Sequence, residues 1–242
     1  MVTPYDDGRG KTEQVRDMFD NIAPAYDRLN RAMSFGLDTG WRRRAVECVA
    51  LAGAKSIVDI ATGTGDFAIS LAENIPGTRI TGLDLSENMV EIGRKKVADA
   101  GLTDRIDLVT GDCLDCPLPA GQADAVTVAF GVRNFSDLEA GYRAMRRMLR
   151  PGGLLCVLEL STPVNPFVKP FYKLYTGCII PMMGRVVSHD TRAYSYLPES
   201  IAAVPQADSM TDLMSKAGFN DTSFRRLTFG VCTLYTAINP EN

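Results

Sequence analysis

The sequence predicts an α/β protein, a doubly wound and mostly parallel seven-stranded sheet that ends in an antiparallel hairpin. Five short apolar runs, at 56–60, 79–83, 105–109, 123–129 and 153–160, alternate with helix-period segments. That is the pattern of strand–helix units that build a parallel sheet. A glycine turn, Gly63-Thr64-Gly65, follows the first run, where a strand end meets a helix start. Two further runs, 222–228 and 231–238, flank Phe229-Gly230 with no space for a crossover helix, so they predict a hairpin.

Taken in order, residues 1–10 are polar and glycine-bearing and read as a tail. Val15, Met18, Phe19 and Ile22 are spaced i, i+3, i+4, i+7, which predicts an amphipathic helix. A second helix is expected from Trp41 to Leu51, after the apolar connector 33–37, so that 11–51 forms a helical cover. Helices follow over 87–100 and 137–149, the latter stopped by Pro151-Gly152-Gly153. From 162 to 205 the chain is rich in aromatic and apolar residues, among them Phe167, Phe171, Tyr172, Tyr175 and Tyr196, and is broken by Pro163, Pro166, Pro170 and Pro181. So much apolar surface is costly in water. The insertion therefore reads as a helical cap on the core and, since it leaves the C-terminal edge of the sheet, as a lid over a greasy substrate. A last helix is expected over 208–217 before the hairpin. With 242 residues, 45% of them hydrophobic and 23% charged, the whole of 1–242 is expected to be one domain.

The chemistry begins at the glycine turn. Asp59 precedes it, Asp66 follows it, and Asp84 closes the next apolar run 21 residues after Gly63. An acid about 20 residues beyond such a turn can accept from both ribose hydroxyls of a nucleotide cofactor. Gly63-x-Gly65-x-x-Ala68 also fits a dinucleotide fingerprint. A pyrophosphate, however, wants N–H donors and positive potential. Two like charges ~4 Å apart repel by roughly 4 kcal/mol at an effective dielectric of ~20, so Asp59 and Asp66 disfavour it. S-adenosylmethionine (SAM) carries an ammonium and a sulfonium and no phosphate, and suits acids beside the loop. The C-terminal hairpin agrees, being unlike a dinucleotide fold of six parallel strands.

A net charge of −3 gives no electrostatic footprint for nucleic acid, and none is expected as a partner. Arg42-Arg43-Arg44 and the series Arg143, Arg146, Arg147 and Arg150 read as solvated helix faces. No leading signal segment and no apolar stretch of about 18–20 residues is present, so a cytoplasmic location is expected. The six cysteines read as reduced thiols. Cys113-Leu-Asp-Cys116 has a zinc half-site's spacing, but without a second pair and with one histidine no metal is expected.

Several stretches carry a resemblance to a known family: Met18-Phe19-Asp20 with Tyr26-Asp27, the loop through Gly65-Asp66, Phe130-Gly131-Val132-Arg133-Asn134, Leu158-Glu159, and Tyr194-x-Tyr196-Leu197. Over residues 18–201 the chain resembles the class I SAM-dependent methyltransferases, and within them the C-methyltransferases of menaquinone and ubiquinone biosynthesis. The glycine loop is generic to that superfamily; the Phe130–Asn134 stretch and the tyrosine segment are narrow. The resemblance departs at Pro117-Leu118-Pro119 and Ala123-Asp124, where the family has larger side chains.

The resemblance implies that Gly63, Thr64 and Gly65 line the methionyl end of SAM and Asp84 holds the ribose. It also pairs Asp112 and Cys113 with the adenine; a turn role for Asp112 stays open. Asp59 is expected to reach the ammonium through a loop amide or water. Met89 is expected over the adenine, and Ala129 with Phe130 beside the transferring methyl. The acceptor implied is a lipid-tailed quinol, demethylmenaquinol or a benzoquinol, met at the membrane surface by a peripheral contact. Arg133 is expected to stabilise the phenolate, Asn134 to orient the ring and Tyr26 to add a hydrogen bond; a clamp between Arg133 and Glu159 or Asp27 stays open. The general base is left between His189 and Asp27, and a homodimer stays open. An NAD(P)-dependent oxidoreductase and a non-catalytic SAM-binding module are the competing classes. Nitrogen acceptors are disfavoured, because Phe130–Arg133 stands where such enzymes carry Asn/Asp-Pro-Pro-aromatic.

Overall fold

The computed structural model describes residues 2–116, 118–179 and 191–241; Pro117 and 180–190, His189 included, lie outside them. Seven strands form one sheet: β1 (Ser56–Ile60), β2 (Arg79–Asp84), β3 (Ile106–Thr110), β4 (Ala123–Ala129), β5 (Leu149–Leu160), β6 (Asn220–Leu227) and β7 (Cys232–Ile238). Their order is β3-β2-β1-β4-β5-β7-β6. The first five run parallel, and β7 runs antiparallel to both β5 and β6. The doubly wound sheet and its C-terminal hairpin are as the sequence predicts.

Ile57 to Ile60 are all buried, as a central parallel strand covered on both faces requires. On one face lie α3 (Leu37–Leu51), α4 (Asp66–Asn74) and α5 (Glu87–Asp99), which add Trp41, Val49, Leu71 and Val90 to the core. On the other lie α6 (Leu138–Met148) and a late helix, Asp208–Lys216, which add Tyr142, Met145, Met210 and Met214. Strand order reverses between β1 and β4, and the crevice at that switch point is where such sheets bind ligands.

Two N-terminal helices, α1 (Lys11–Ile22) and α2 (Tyr26–Met33), cover that edge. A small apolar cluster of Met18, Ile22, Leu29, Met89 and Tyr196 joins them to α5 and to α8 (Thr191–Ala203). The lid insertion also contains α7 (Lys169–Leu174) and a π-helical turn, Tyr175–Ile179; α9 is the Asp208–Lys216 helix. No residue of α7 is buried, so this part of the insertion does not pack on the core. Its tie to the cover is Tyr175, whose hydroxyl donates to Met33 O at 2.6 Å and whose ring lies 5.6 Å from that of Phe35.

Three boundaries differ from those predicted. The segment 26–33 forms a helix of its own after a 3-10 turn at Ala23–Ala25, with Pro24 inside the turn. α3 begins at Leu37, because Gly36 takes φ +75° and turns the connector into the helix. β5 begins at Leu149, and Pro151-Gly152-Gly153 is an irregularity inside it rather than a loop: Gly152 sits at φ +71° and the register against β4 shifts between Ala123 and Ala125.

Candidate active site

A cleft opens over the C-terminal ends of β1 to β4, lined by Ala61, Gly63, Asp84, Met89, Asp112, Cys113, Ala129 and Gly131. Asp84 is its best-placed acid. Its Oδ2 accepts the Gly63 N–H at 2.8 Å and its Oδ1 the Ser86 N–H at 2.9 Å, which leaves each oxygen a lone pair for a diol. Burial raises its pKa against the pull of those donors. Asp112 Oδ1 accepts from Leu114 N at 2.9 Å, so the residue both makes the turn and lines the cleft. Met89 is buried, its N–H capped by Ser86 Oγ at 3.1 Å.

The cleft floor is tightly built. Ala61 and Phe130, at the ends of β1 and β4, hold φ of +53° and +60°, conformations that cost of order 1–3 kcal/mol each in a non-glycine residue. A Cβ on Gly131 would lie 2.5 Å from that of Ala61, so only glycine lets the two strand ends touch.

Asp59, Thr64 and Gly65 do not line the cleft. Both Asp59 oxygens are consumed by threonine hydroxyls, Oδ1 by Thr127 at 2.6 Å and Oδ2 by Thr62 at 2.7 Å. The carboxyl is buried, and burial pushes its pKa up to about 6. Thr64 Oγ1 turns to Asp27 at 2.6 Å, and Gly65 meets Leu108 and Gly93. Asp66 pairs with Lys96. Asp59 and Asp66 are thus engaged within the protein, and the acids whose side chains line the cleft are Asp84 and Asp112. Its lining includes no lysine or arginine among the described residues. A cationic, phosphate-free cofactor fits that wall, and a pyrophosphate does not.

Beyond Tyr26 and Phe130 lies a second, larger space of about 320 Å³, lined by Met33, Phe35, Trp41, Leu160, Phe171, Tyr172 and Tyr175. Tyr26 and Phe130 border both spaces and form the partition between them. Burial raises the Tyr26 phenol above its ordinary pKa against the attraction of Arg133 and Arg42.

Arg133 lines the larger cavity but is already held: Nη1 donates to Glu159 Oε1 at 2.7 Å and also to Phe130 O. The clamp to Glu159 left open by the sequence is thus present, and Asp27 is not its partner. Burial works against the guanidinium, but Glu159 together with Tyr26 and Tyr196 raises its pKa. Asn134 borders the cleft and a smaller pocket rather than the large cavity, and its Oδ1 accepts from Tyr196 at 3.2 Å. Asp27 is engaged by Thr64 and by Lys96 at 2.7 Å.

Several residues of both spaces are invisible to sequence reasoning. Thr12 and Phe19 of α1 and Ser136 line the cleft. Lys11 Nζ bridges Arg133 O and Phe135 O at 3.0 Å each, a contact spanning more than 120 residues with no local signal. Burial, with the Arg133 charge, lowers its pKa to about 8. Arg42 is not part of a solvated face: it is buried, pairs with Asp38, and lies over Phe130 with 5.5 Å between guanidinium carbon and ring centroid. Its Nε and that of Arg133 are the buried side-chain nitrogens without a partner among the described residues. Such an unmade bond costs about 1–3 kcal/mol.

The model of the ubiE/COQ5 methyltransferase family matches residues 8–239. A demethylmenaquinone methyltransferase of Bacteroides fragilis is 46% identical over 98% of this chain and 96% of its own length. A ubiquinone/menaquinone biosynthesis C-methyltransferase UbiE of Geobacter sulfurreducens is 43% identical over 93% of this chain and 88% of its own. Among solved structures, a SAM-dependent methyltransferase of Thermotoga maritima superposes with a TM-score of 0.66 at 20% identity, over 93% of this chain and 99% of that one. At that identity the likeness is one of fold.

Proposed function

Since this chain belongs to the ubiE/COQ5 methyltransferase family and is a SAM-dependent C-methyltransferase, we propose that its acceptor is a ring carbon of a polyprenyl-tailed quinol, with demethylmenaquinol converted to menaquinol. The names of its relatives support that acceptor. The observation that carries the reading is the aromatic cavity of about 320 Å³, parted from the charged cleft only by Tyr26 and Phe130.

On the cofactor side, Asp84 takes the ribose hydroxyls, Asp112 and the Cys113 backbone take the adenine, Met89 packs on its ring, and Gly63 with Ala129 borders the methionyl end. SAM supplies an electrophilic methyl on a sulfonium when bound. No covalent nucleophile is needed, because holding donor and acceptor in line lowers most of the barrier. On the acceptor side, a quinol hydroxyl that sheds its proton makes the adjacent ring carbon nucleophilic. Arg133, which lines the cavity, receives that oxygen through its guanidinium. With Glu159 balancing its charge, the contribution is a directed hydrogen bond more than net positive potential. Tyr26, on the partition, donates to the acceptor from the cleft side. Asn134, tied to Tyr196, positions this wall rather than touching the ring.

The mouth of the cavity carries exposed Phe35 and Phe171, exposed Phe229 follows its lining residue Thr228, and Phe167 and Leu174 are exposed on the lid. These support a peripheral contact with the inner membrane face, from which the lipid tail enters. No helix among the described residues is long and apolar enough to cross a membrane.

The test supplies SAM with chemically reduced, short-tailed naphthoquinol or benzoquinol and reads product mass. One methyl added to the reduced naphthoquinol is expected. No product from any reduced quinone overturns the acceptor, and equal product from the oxidised quinone overturns the phenolate step.

A further inference from the structure

The large cavity is lined by two buried arginines, and neither guanidinium has all of its N–H groups taken up by the protein. Arg133 Nε and Arg42 Nε have no hydrogen-bond partner among the described residues, and both side chains line the same space. They meet Phe130 from different directions: Arg133 Nη1 donates to its carbonyl, while the Arg42 guanidinium lies 5.5 Å from the centroid of its ring. Arg42 is held in place through Nη1 by Asp38, whose other oxygen accepts from Ser34 Oγ at 2.8 Å. That pairing accounts for the charge of Arg42 and occupies only Nη1. Its sequence neighbours Arg43 and Arg44 are exposed, so burial singles out this one arginine of the three.

A hydroquinone carries two hydroxyls on opposite sides of its ring, and one arginine can serve only one of them. We propose that Arg42 donates to the second quinol oxygen, the one remote from Arg133, and so fixes which way round the ring lies and selects para-diol acceptors. This rests on the quinol reading above. A cavity built to hydrogen-bond a hydroxyl rejects the analogue that lacks it, because the buried donor is then left unpaired. The ring enters with its two oxygens spanning from Arg133 at the end of β4 to Arg42 on α3, and the tail leaves toward the exposed phenylalanines of the mouth.

The experiment compares two short-tailed acceptors, a naphthohydroquinone and the matching naphthol without the second hydroxyl, in wild type, Arg42→Met and Arg42→Lys. It reads kcat/KM for each acceptor, with affinity for S-adenosylhomocysteine as the check on the cofactor cleft. Wild type is expected to prefer the diol by about 10- to 100-fold, the range for a hydrogen bond to a charged donor. Arg42→Met closes most of that gap by losing the diol selectively. Arg42→Lys keeps a charge beside Asp38 without the further N–H groups of the guanidinium, so it keeps the fold and shows the same selective loss if Arg42→Met fails to fold. An equal loss on diol and naphthol in Arg42→Lys assigns Arg42 to structure alone and overturns the proposal, as does a wild type that prefers neither. Should wild type methylate neither acceptor, the quinol reading fails, and this inference with it.

Discussion

At the scale of single residues, Asp59 shows how a motif's acid can serve the fold before the ligand. Its carboxyl is buried at the end of β1 between Thr62 and Thr127, with a pKa pushed up to about 6 from an ordinary 3.8. A carboxyl with a raised folded pKa binds more protons in the native state between those two values, so stability falls as pH rises through that window. At one pKa unit per 1.36 kcal/mol, the cost above pH 6 is about 3 kcal/mol. Urea denaturation of wild type and Asp59→Asn from pH 4 to 7 is expected to show the wild type losing about that much relative to the variant; a constant difference across the range contradicts it. Arg133 poses the opposite question, since Glu159 is 1% exposed and depends on it. Arg133→Ala strands that charge, and a loss of about 3–5 kcal/mol in stability is expected. The double variant Arg133→Met with Glu159→Gln is expected to regain most of the stability and none of the turnover. Regained turnover reduces Arg133 to a clamp.

At the scale of elements, the strands, the hairpin and the helix at 15–22 were legible because period and turn chemistry are local properties. α2 was not, because its eight residues expose Arg28 and Arg31 and bury only Leu29, too little for a periodic signal. The start of β5 was hidden for another reason: Pro-Gly-Gly reads as a stop, and only pairing with β4 turns it into a strand irregularity. What α2 does depends on a contact between distant elements. Lys96 of α5 joins Asp27 of α2 to Thr64 and Asp66 at the glycine loop, and so holds the cover over the cleft. These groups are partly exposed, and such pairs contribute about 0.2–1 kcal/mol. Lys96→Ala is therefore expected to weaken S-adenosylhomocysteine binding by up to about fivefold and to speed hydrogen exchange over 11–33, with little change in thermal stability. Unchanged exchange in that segment rules out the latch.

At the scale of the whole molecule, the parallel half of the sheet brings charge to the switch point and the cover and lid bring grease beside it. The first half of that arrangement could be read from the sequence. Gly63, Asp84, Asp112 and Ala129 each stand at a strand end, and strand ends converge by topology. The second half could not be read in detail, because Arg42 reaches the site from α3 by lying on Phe130, a contact across nearly 90 residues. Arg133 could be read from the sequence as a candidate, but its bond to Glu159 could not be settled there, and that bond turns a free charge into a paired guanidinium. The central claim is that cleft and cavity together put a methyl group on quinol carbon. Its most direct test feeds the protein SAM labelled isotopically in the transferring methyl, with a reduced short-tailed demethylnaphthoquinol, and locates the label in the product by NMR. The label is expected on the ring carbon beside a hydroxyl; a label on a ring oxygen, or none transferred, contradicts the account.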